Sequence, residues 1–328
     1  MRTLQSLRTM AFLCGISACV AGAGSAPLDR DATPVLWRDP GAIAQRDLYW
    51  GAGSKARAPR APFTFVDEDT SGNRPKLTVK DAAGAQWTAK LAPKDPLLNE
   101  VHAEIAATRI MWALGYFVDE NYYVPSGRIL GATKLTRASD VVGPDGSFKV
   151  ARFERDDPKL EKVGDWNIEE NGFKGSKELS GFWAAMLLLN SWDVKPLNTA
   201  IRRSTGDGKA LDHYLMSDLG STFGSMKGSN DNSRWHLEEY KNTKWLTGVV
   251  KGTQLQFGYP LLGSELVSIP IDHARWFSGL ASQLTDAQIR RAFEASGATP
   301  AEVTAFSAAL KARILELRAA VGRADQAK

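Results

Sequence analysis

Cysteine and histidine are scarce in this chain. Its 328 residues include two cysteines and four histidines. Both cysteines, Cys14 and Cys19, sit near the N-terminus, so everything beyond them must hold together without a disulfide of its own. No Cys or His falls in ligand spacing, which argues against a structural zinc site. Charge of one sign is lacking too. The 41 Lys and Arg face 37 Asp and Glu, and the net of +4 is too mild and too scattered to argue for a nucleic-acid partner. No internal repeat is evident. What is present is the composition of an ordinary globular protein, 43% hydrophobic and 24% charged. The length allows one large domain or two small ones with a substantial core.

Residues 1–26 read as a targeting segment. Arg2 and Arg8 form a basic start, Met10 to Ala23 is apolar and rich in small residues, and Ala21-Gly22-Ala23 or Gly24-Ser25-Ala26 offers a cleavage site. Pro27 disfavours the second of these. The apolar stretch is too short for a membrane span, so the expectation is an exported protein, periplasmic or extracellular. Ile16-Ser17-Ala18-Cys19 also resembles a lipoprotein processing box, which would make Cys19 a lipid anchor; the plainer alternative is one more small apolar residue of the signal. Residues 27–60, rich in Pro, Arg, Gly and Ala, read as a tether or irregular arm.

From 62 to 91 the pattern alternates as strands do, with turns at Thr70-Ser71-Gly72-Asn73 and Asp81-Ala82-Ala83-Gly84, giving a three-stranded antiparallel meander. Trp87, Ala89 and Leu91 fall on one side of its last strand, Thr88 and Lys90 on the other. A helix follows over about 99–114, stopped by Gly115, with Glu100 and Glu104 on one face. Tyr122 to Val124 and Gly127 to Leu130 continue as strand, and 138–175 reads as a polar surface insertion. Lys177 to Trp192 is apolar nearly all round, a buried helix. Ala200 to Arg203 and Leu211 to Met216 form a hairpin around Ser204-Thr205-Gly206-Asp207-Gly208. Residues 225–262 read as a long loop with short elements, and 272–322 is helical, with a capping box at Thr285–Gln288 and Pro300 in a first turn.

Two short motifs carry the chemistry. Asp193-Val194-Lys195-Pro196-Leu197-Asn198 follows the buried helix, and Asp218-Leu219-Gly220 follows the hairpin. A bare Asp-x4-Asn arises by chance about once in such a chain, but Lys at the third place and Pro at the fourth reduce that to roughly a few in a thousand. The pair resembles the catalytic and metal-binding loops of the protein-kinase superfold, and the departures bring it nearest to atypical, HipA-like bacterial kinases. Ser191-Trp192 stands where many kinases have His-Arg, Leu219 replaces Phe, no Gly-x-Gly-x-x-Gly exists, and no Ala-Pro-Glu follows.

The resemblance implies an α+β, two-lobed fold: an antiparallel-sheet N-lobe with one helix over 61–135, and a larger, mainly helical C-lobe over 136–328 that carries the insertion. It implies Asp193 as the base and Lys195 as the cation on the transferring phosphoryl group, with Asn198 and Asp218 as magnesium ligands. Lys90 would touch the nucleotide phosphates and pair with Glu104, favoured over Glu100 because it lies deeper in the helix. Ser71, Gly72 and Asn73 would cradle phosphate, and 122–130 would be the hinge that meets adenine. The cofactors implied are ATP and Mg2+, and the acceptor is an unnamed protein or small molecule. Three functions compete: an exported kinase; a kinase-fold protein that binds a nucleotide or partner without phosphoryl transfer, since ATP is scarce outside the cytoplasm; and an envelope interaction protein of another fold, its ten Trp serving as anchors. No pattern names an oligomeric state.

Overall fold

The computed structural model describes residues 32–326 except 72–73, 207–208, 227–231, 251–252 and 259–266. The targeting segment with Cys14 and Cys19, and Gly72 and Asn73 of the expected phosphate cradle, therefore lie outside the described residues.

The chain opens with strand β1 (Thr33–Val35) and an irregular arm, then builds β2 (Phe63–Asp69), β3 (Lys76–Lys80), β4 (Gln86–Leu91), helix α1 (Leu97–Ala113), β5 (Asn121–Leu130) and β6 (Ser147–Asp156). The five strands β2 to β6 close into a barrel in the order β2-β3-β4-β6-β5, sealed by parallel pairing of Phe63 and Thr64 with Ile129 and Leu130. Alternation decides its inside: Leu77, Val79, Trp87, Ala89 and Phe153 are fully buried in one apolar cluster. The meander of 62–91 stands as the sequence suggests.

Three sequence expectations need correction. The polar, Gly-rich stretch 138–175 is not a surface insertion throughout. Ala151 and Phe153 alternate with Arg152 and Glu154, and β6 pairs with both β4 and β5 along its length. The smaller lobe thus reaches Asp156 rather than ending at 135. The hinge is not 122–130, which lies inside the barrel as β5; the chain leaves the barrel after Asp156 and enters the other lobe at β7 (Leu160–Gly164). Nor is the stretch from residue 32 to 60 a loose tether. β1 pairs in parallel with a later strand, and Leu36, Ile43 and Leu48 are buried in the larger core.

The larger lobe begins with β7 and α2 (Lys177–Leu188), whose start is capped by Ser176 Oγ accepting from the Leu179 N–H at 3.1 Å. Strands β8 (Thr199–Gly206) and β9 (Lys209–Met216) form the expected hairpin, in the sheet order β1-β9-β8-β7. After α3 (Leu237–Asn242) come three short strands, β10 (Gly248–Val250), β11 (Gln254–Gln256) and β12 (Ser268–Pro270). Helices α4 (Ile271–Ala281), α5 (Asp286–Ala295) and α6 (Pro300–Gln326) finish the chain. The Thr285–Gln288 capping box opens α5, and the same Gln288 amide donates to the carbonyls of Ile43 and Arg46 at 2.6 and 2.8 Å, tying the arm to the helical lobe.

If β6 is a barrel strand, truncating its core residue must leave a cavity. Phe153→Ala is expected to lower stability by about 3–5 kcal/mol in denaturant titrations. A loss below about 1 kcal/mol, normal for a surface loop, would contradict this placement.

Candidate active site

A cleft of about 740 Å3 lies between barrel and helical lobe, and Lys90, Glu104, Asp193, Lys195, Asn198 and Asp218 all line it. Six residues spread over nearly 130 positions of sequence thus share one space.

The upper wall is a knot of buried charge. Lys90 projects from β4 away from the barrel core and is 6% exposed. Its ammonium donates to Glu104 Oε2 at 2.9 Å and to Glu100 Oε1 at 3.1 Å. Both acids of α1 therefore pair with it, one turn apart on the same helical face. Arg152 is the cross-strand neighbour of Lys90, and its guanidinium also reaches Glu104, then Glu154 at 2.7 Å. Glu100 is held from two further directions, by Arg74 at 2.7 Å and by Arg234.

Charge states follow from these neighbours. Burial opposes the charge on Lys90, but Glu104 and Asp218 outweigh it and hold the ammonium above its ordinary range. Burial pushes the Glu104 carboxyl up, against the pull of Arg152 and Lys90. Burial also acts on Glu100, yet Lys90, Arg234 and Arg74 bring it below the usual carboxylate range. At Asp218 burial is again outweighed, by Lys90, the Gly220 N–H and Arg152, so this carboxyl too is held low.

The lower wall comes from the loop after α2. Asn190 adopts a left-handed backbone (φ 50°), and its side-chain amide donates to the Gly224 carbonyl at 2.8 Å. The Trp192 backbone N–H donates to Ser221 O at 3.2 Å, and its indole N–H to Ser233 O at 2.8 Å. These bonds stitch the Asp193 loop to the segment after Asp218, with an indole where many kinases have His-Arg. Lys195 donates to Asp193 Oδ2 at 3.0 Å and lies 2.8 Å from Oδ1 without hydrogen-bond alignment. Apart from that ammonium, no donor reaches Asp193 Oδ1 among the described residues. A carboxylate paired with this one lysine suits a group that takes the proton of an incoming hydroxyl while the lysine offsets charge.

Asn198 and Asp218 are brought side by side by the β8–β9 hairpin. The Asn198 carbonyl accepts from the backbone N–H of both Ser217 and Asp218, at 2.8 and 3.1 Å. The Asn198 amide donates to the Asp193 carbonyl at 2.7 Å, which turns its nitrogen inward and leaves its oxygen as a ligand atom. Asp218 Oδ1 accepts from the Gly220 N–H at 2.9 Å. An oxygen pair fits a hard cation such as Mg2+, which takes few protein ligands and completes its shell with phosphates and water. Among the described residues no group of three or more His, Cys, Asp or Glu gathers into a metal site of its own. Ser71 does not join the cleft: it is exposed and bonded to Asp69 through its N–H at 2.8 Å and its hydroxyl.

Arg152, Arg74, Arg234 and Glu154 were not anticipated. The sign of the first was present, because Arg152 and Glu154 share a face of a strand whose other face is Ala151 and Phe153. Arg234 carried no such signal, since it comes from an irregular loop.

Comparison with known proteins bears on the fold. No known protein family matches the chain, and no curated protein matches it in sequence. Among solved structures it is similar to the Helicobacter pylori proinflammatory kinase CtkA, with a TM-score of 0.50 at 13% identity, covering 81% of this chain and 97% of that one. The golgi casein kinase also matches, at a TM-score of 0.40 and 10% identity over 86% of this chain and 82% of that one. The fold is kinase-like, α+β, with a sheet-rich N-terminal lobe and a helical C-terminal lobe. Among the described residues no helix is long and apolar enough to cross a membrane.

The lowered carboxyls make a pH prediction. A group with a depressed folded pKa stabilises fully above its unfolded value, about 4, and loses that contribution as pH falls through the folded one. Between about pH 7 and about pH 3, wild type should lose stability more steeply than Asp218→Asn in denaturant titrations. The Asp218 charge also pushes Glu104 and Glu100 up, so the substitution lets both titrate lower and offsets part of the difference. Parallel profiles would show that Asp218 is not a stabilised anion.

Proposed function

We propose that this chain is an exported kinase that transfers the γ-phosphate of ATP, with Mg2+, to a hydroxyl acceptor. The observation that carries the reading is the convergence of Lys90, Asp193, Asn198 and Asp218 on one cleft, where the Asp193 carboxylate meets the Lys195 ammonium. Lys90, positioned by Glu104 and Glu100, would fix the nucleotide phosphates. Asp193 would orient the acceptor hydroxyl and receive its proton, and Lys195 beside it would offset charge on the transferring group. Asn198 and Asp218 would hold the divalent cation, which supplies charge neutralisation between the phosphates.

Kinship to HipA-like kinases belongs to the same proposal, supported by the missing glycine-rich loop and by the Asp-Leu-Gly triplet. Export is supported by the basic and apolar character of residues 1–26, and Cys19 offers a lipid attachment point. The described arm begins only a few residues beyond that segment.

The test uses the chain from residue 27 on. ATP with Mg2+ is expected to raise the melting temperature by about 4 °C or more at saturating ligand, and Asp218→Ala should abolish the metal-dependent part. Asp193→Ala should keep the nucleotide-dependent shift but lower turnover by about 100-fold or more. Turnover unchanged in Asp193→Ala, or a melting shift indifferent to Asp218, would refute the assignment. A shift without any turnover in wild type would favour binding without phosphoryl transfer.

A further inference from the structure

A second cavity, about 430 Å3, lies on the opposite side of the lobe crossing from the catalytic cleft. The arm, the loop between α1 and β5, the crossing itself and the β8–β9 hairpin enclose it. Its volume is that of a small-molecule site.

The charges around it do not balance. Asp119 is answered by Arg202 at 2.8 Å and by the Ser217 hydroxyl at 2.9 Å. Glu120 and Asp157 are both answered by Arg57. That leaves Arg38, Arg46 and Arg155 with no carboxylate at ion-pair distance among the described residues, while the remaining acid of the lining, Asp39, caps the Gly41 N–H at 2.8 Å. Arg38 and Arg46 lie instead against aromatic faces: Arg38 5.6 Å from the Phe117 ring, Arg46 3.7 Å from that of Trp112. Arg155 lies 5.4 Å from the Trp87 ring, and its Nε is buried without an acceptor.

A second buried atom points the same way. His213 is 7% exposed and lines the cavity. Its Nε2 is taken by Ser204 Oγ at 2.7 Å, while Nδ1 is buried with no partner. Unpartnered buried polar atoms are rare in folded proteins, and two of them border this cavity. Apolar walls from Val118 and Leu215 complete the lining. Guanidinium edges left open beside apolar and aromatic surface suit a ligand with a compact apolar body and an anionic head.

We propose that this rear cavity is a binding site for a small organic anion, an aryl phosphate or carboxylate, whose head is held by Arg38, Arg46 and Arg155. The inference stands apart from the catalytic reading, because the two cavities are separated by the Arg202 side chain, which lines both and pairs with Asp119 and Glu154.

Phenyl phosphate, benzoate and inorganic phosphate serve as probes in calorimetric titrations of the chain from residue 27 on. One aromatic probe at least should bind with one-to-one stoichiometry, and about tenfold more tightly than inorganic phosphate, because only it fills the apolar part. Arg46→Gln and the exposed-site variant Arg38→Ala should each weaken it by about tenfold, with melting curves showing that both remain folded. Asp218→Asn, which alters the catalytic cleft, should leave the affinity within about twofold. No saturable binding of either aromatic probe up to about 10 mM would overturn the proposal. So would binding that survives both arginine changes, or an affinity that Asp218→Asn shifts well beyond twofold, since losing that negative charge would tighten an anion held in the cleft.

Discussion

The buried contact of Lys90 with Glu104, shared by Arg152, is the constraint around which the molecule is arranged. It joins two barrel strands to α1, and the same ammonium holds the Asp218 carboxyl as an anion. Such a knot is a poor source of net stability, since well-packed apolar residues of similar volume would do as well. Removing one partner, however, strands a buried charge and costs about 3–5 kcal/mol. Its consequence is placement: cations and carboxylates cannot drift apart without exposing an unanswered charge. Gly220 belongs to this arrangement. A Cβ there would lie 2.6 Å from Glu100 Cγ, so a side chain at this position would have to displace Glu100.

Where α1 is anchored matters as much as what it carries. The barrel has its own apolar core, separate from that of the larger lobe. Ala103, Ala106 and Ile110 of α1 belong to the larger core, together with Leu36, Ile43 and Leu48 of the arm. The helix is thus rooted in the helical lobe while its acids reach the barrel. The arm secures the helix end: the Trp37 indole donates to the Leu114 carbonyl at 2.8 Å, and the Arg38 N–H to that of Gly115 at 2.9 Å. Arg109, fully buried, donates to the Asn121 carbonyl at 2.6 Å and to the Tyr49 carbonyl at 3.2 Å, binding helix, β5 and arm together. A helix fixed on so many sides gives its two glutamates a fixed address for Lys90.

The parts legible in sequence were those set by local rules. Alternation gave the meander and the side of β4 from which Lys90 projects, and the turn at 204–208 gave the hairpin that unites Asn198 and Asp218. Capping chemistry announced α5. What escaped depended on distant partners. β6 looked like loop because Lys149, Arg152, Glu154 and Arg155 break its apolar run, and only the barrel and α1 explain burying Arg152. The arm has no periodicity because it fills gaps between elements already formed. The choice between Glu100 and Glu104 had no answer from spacing, since an ammonium placed one helical turn wide can meet both.

The most direct test of the central claim, that Asn198 and Asp218 form a cation site serving a bound nucleotide, is a crystal structure of the chain from residue 27 on with a non-hydrolysable ATP analogue and Mn2+. The account predicts an anomalous scattering peak about 2.1 Å from oxygens of both side chains, with the terminal phosphate facing Asp193. A peak elsewhere, or nucleotide phosphates pointing away from Lys90, would contradict it.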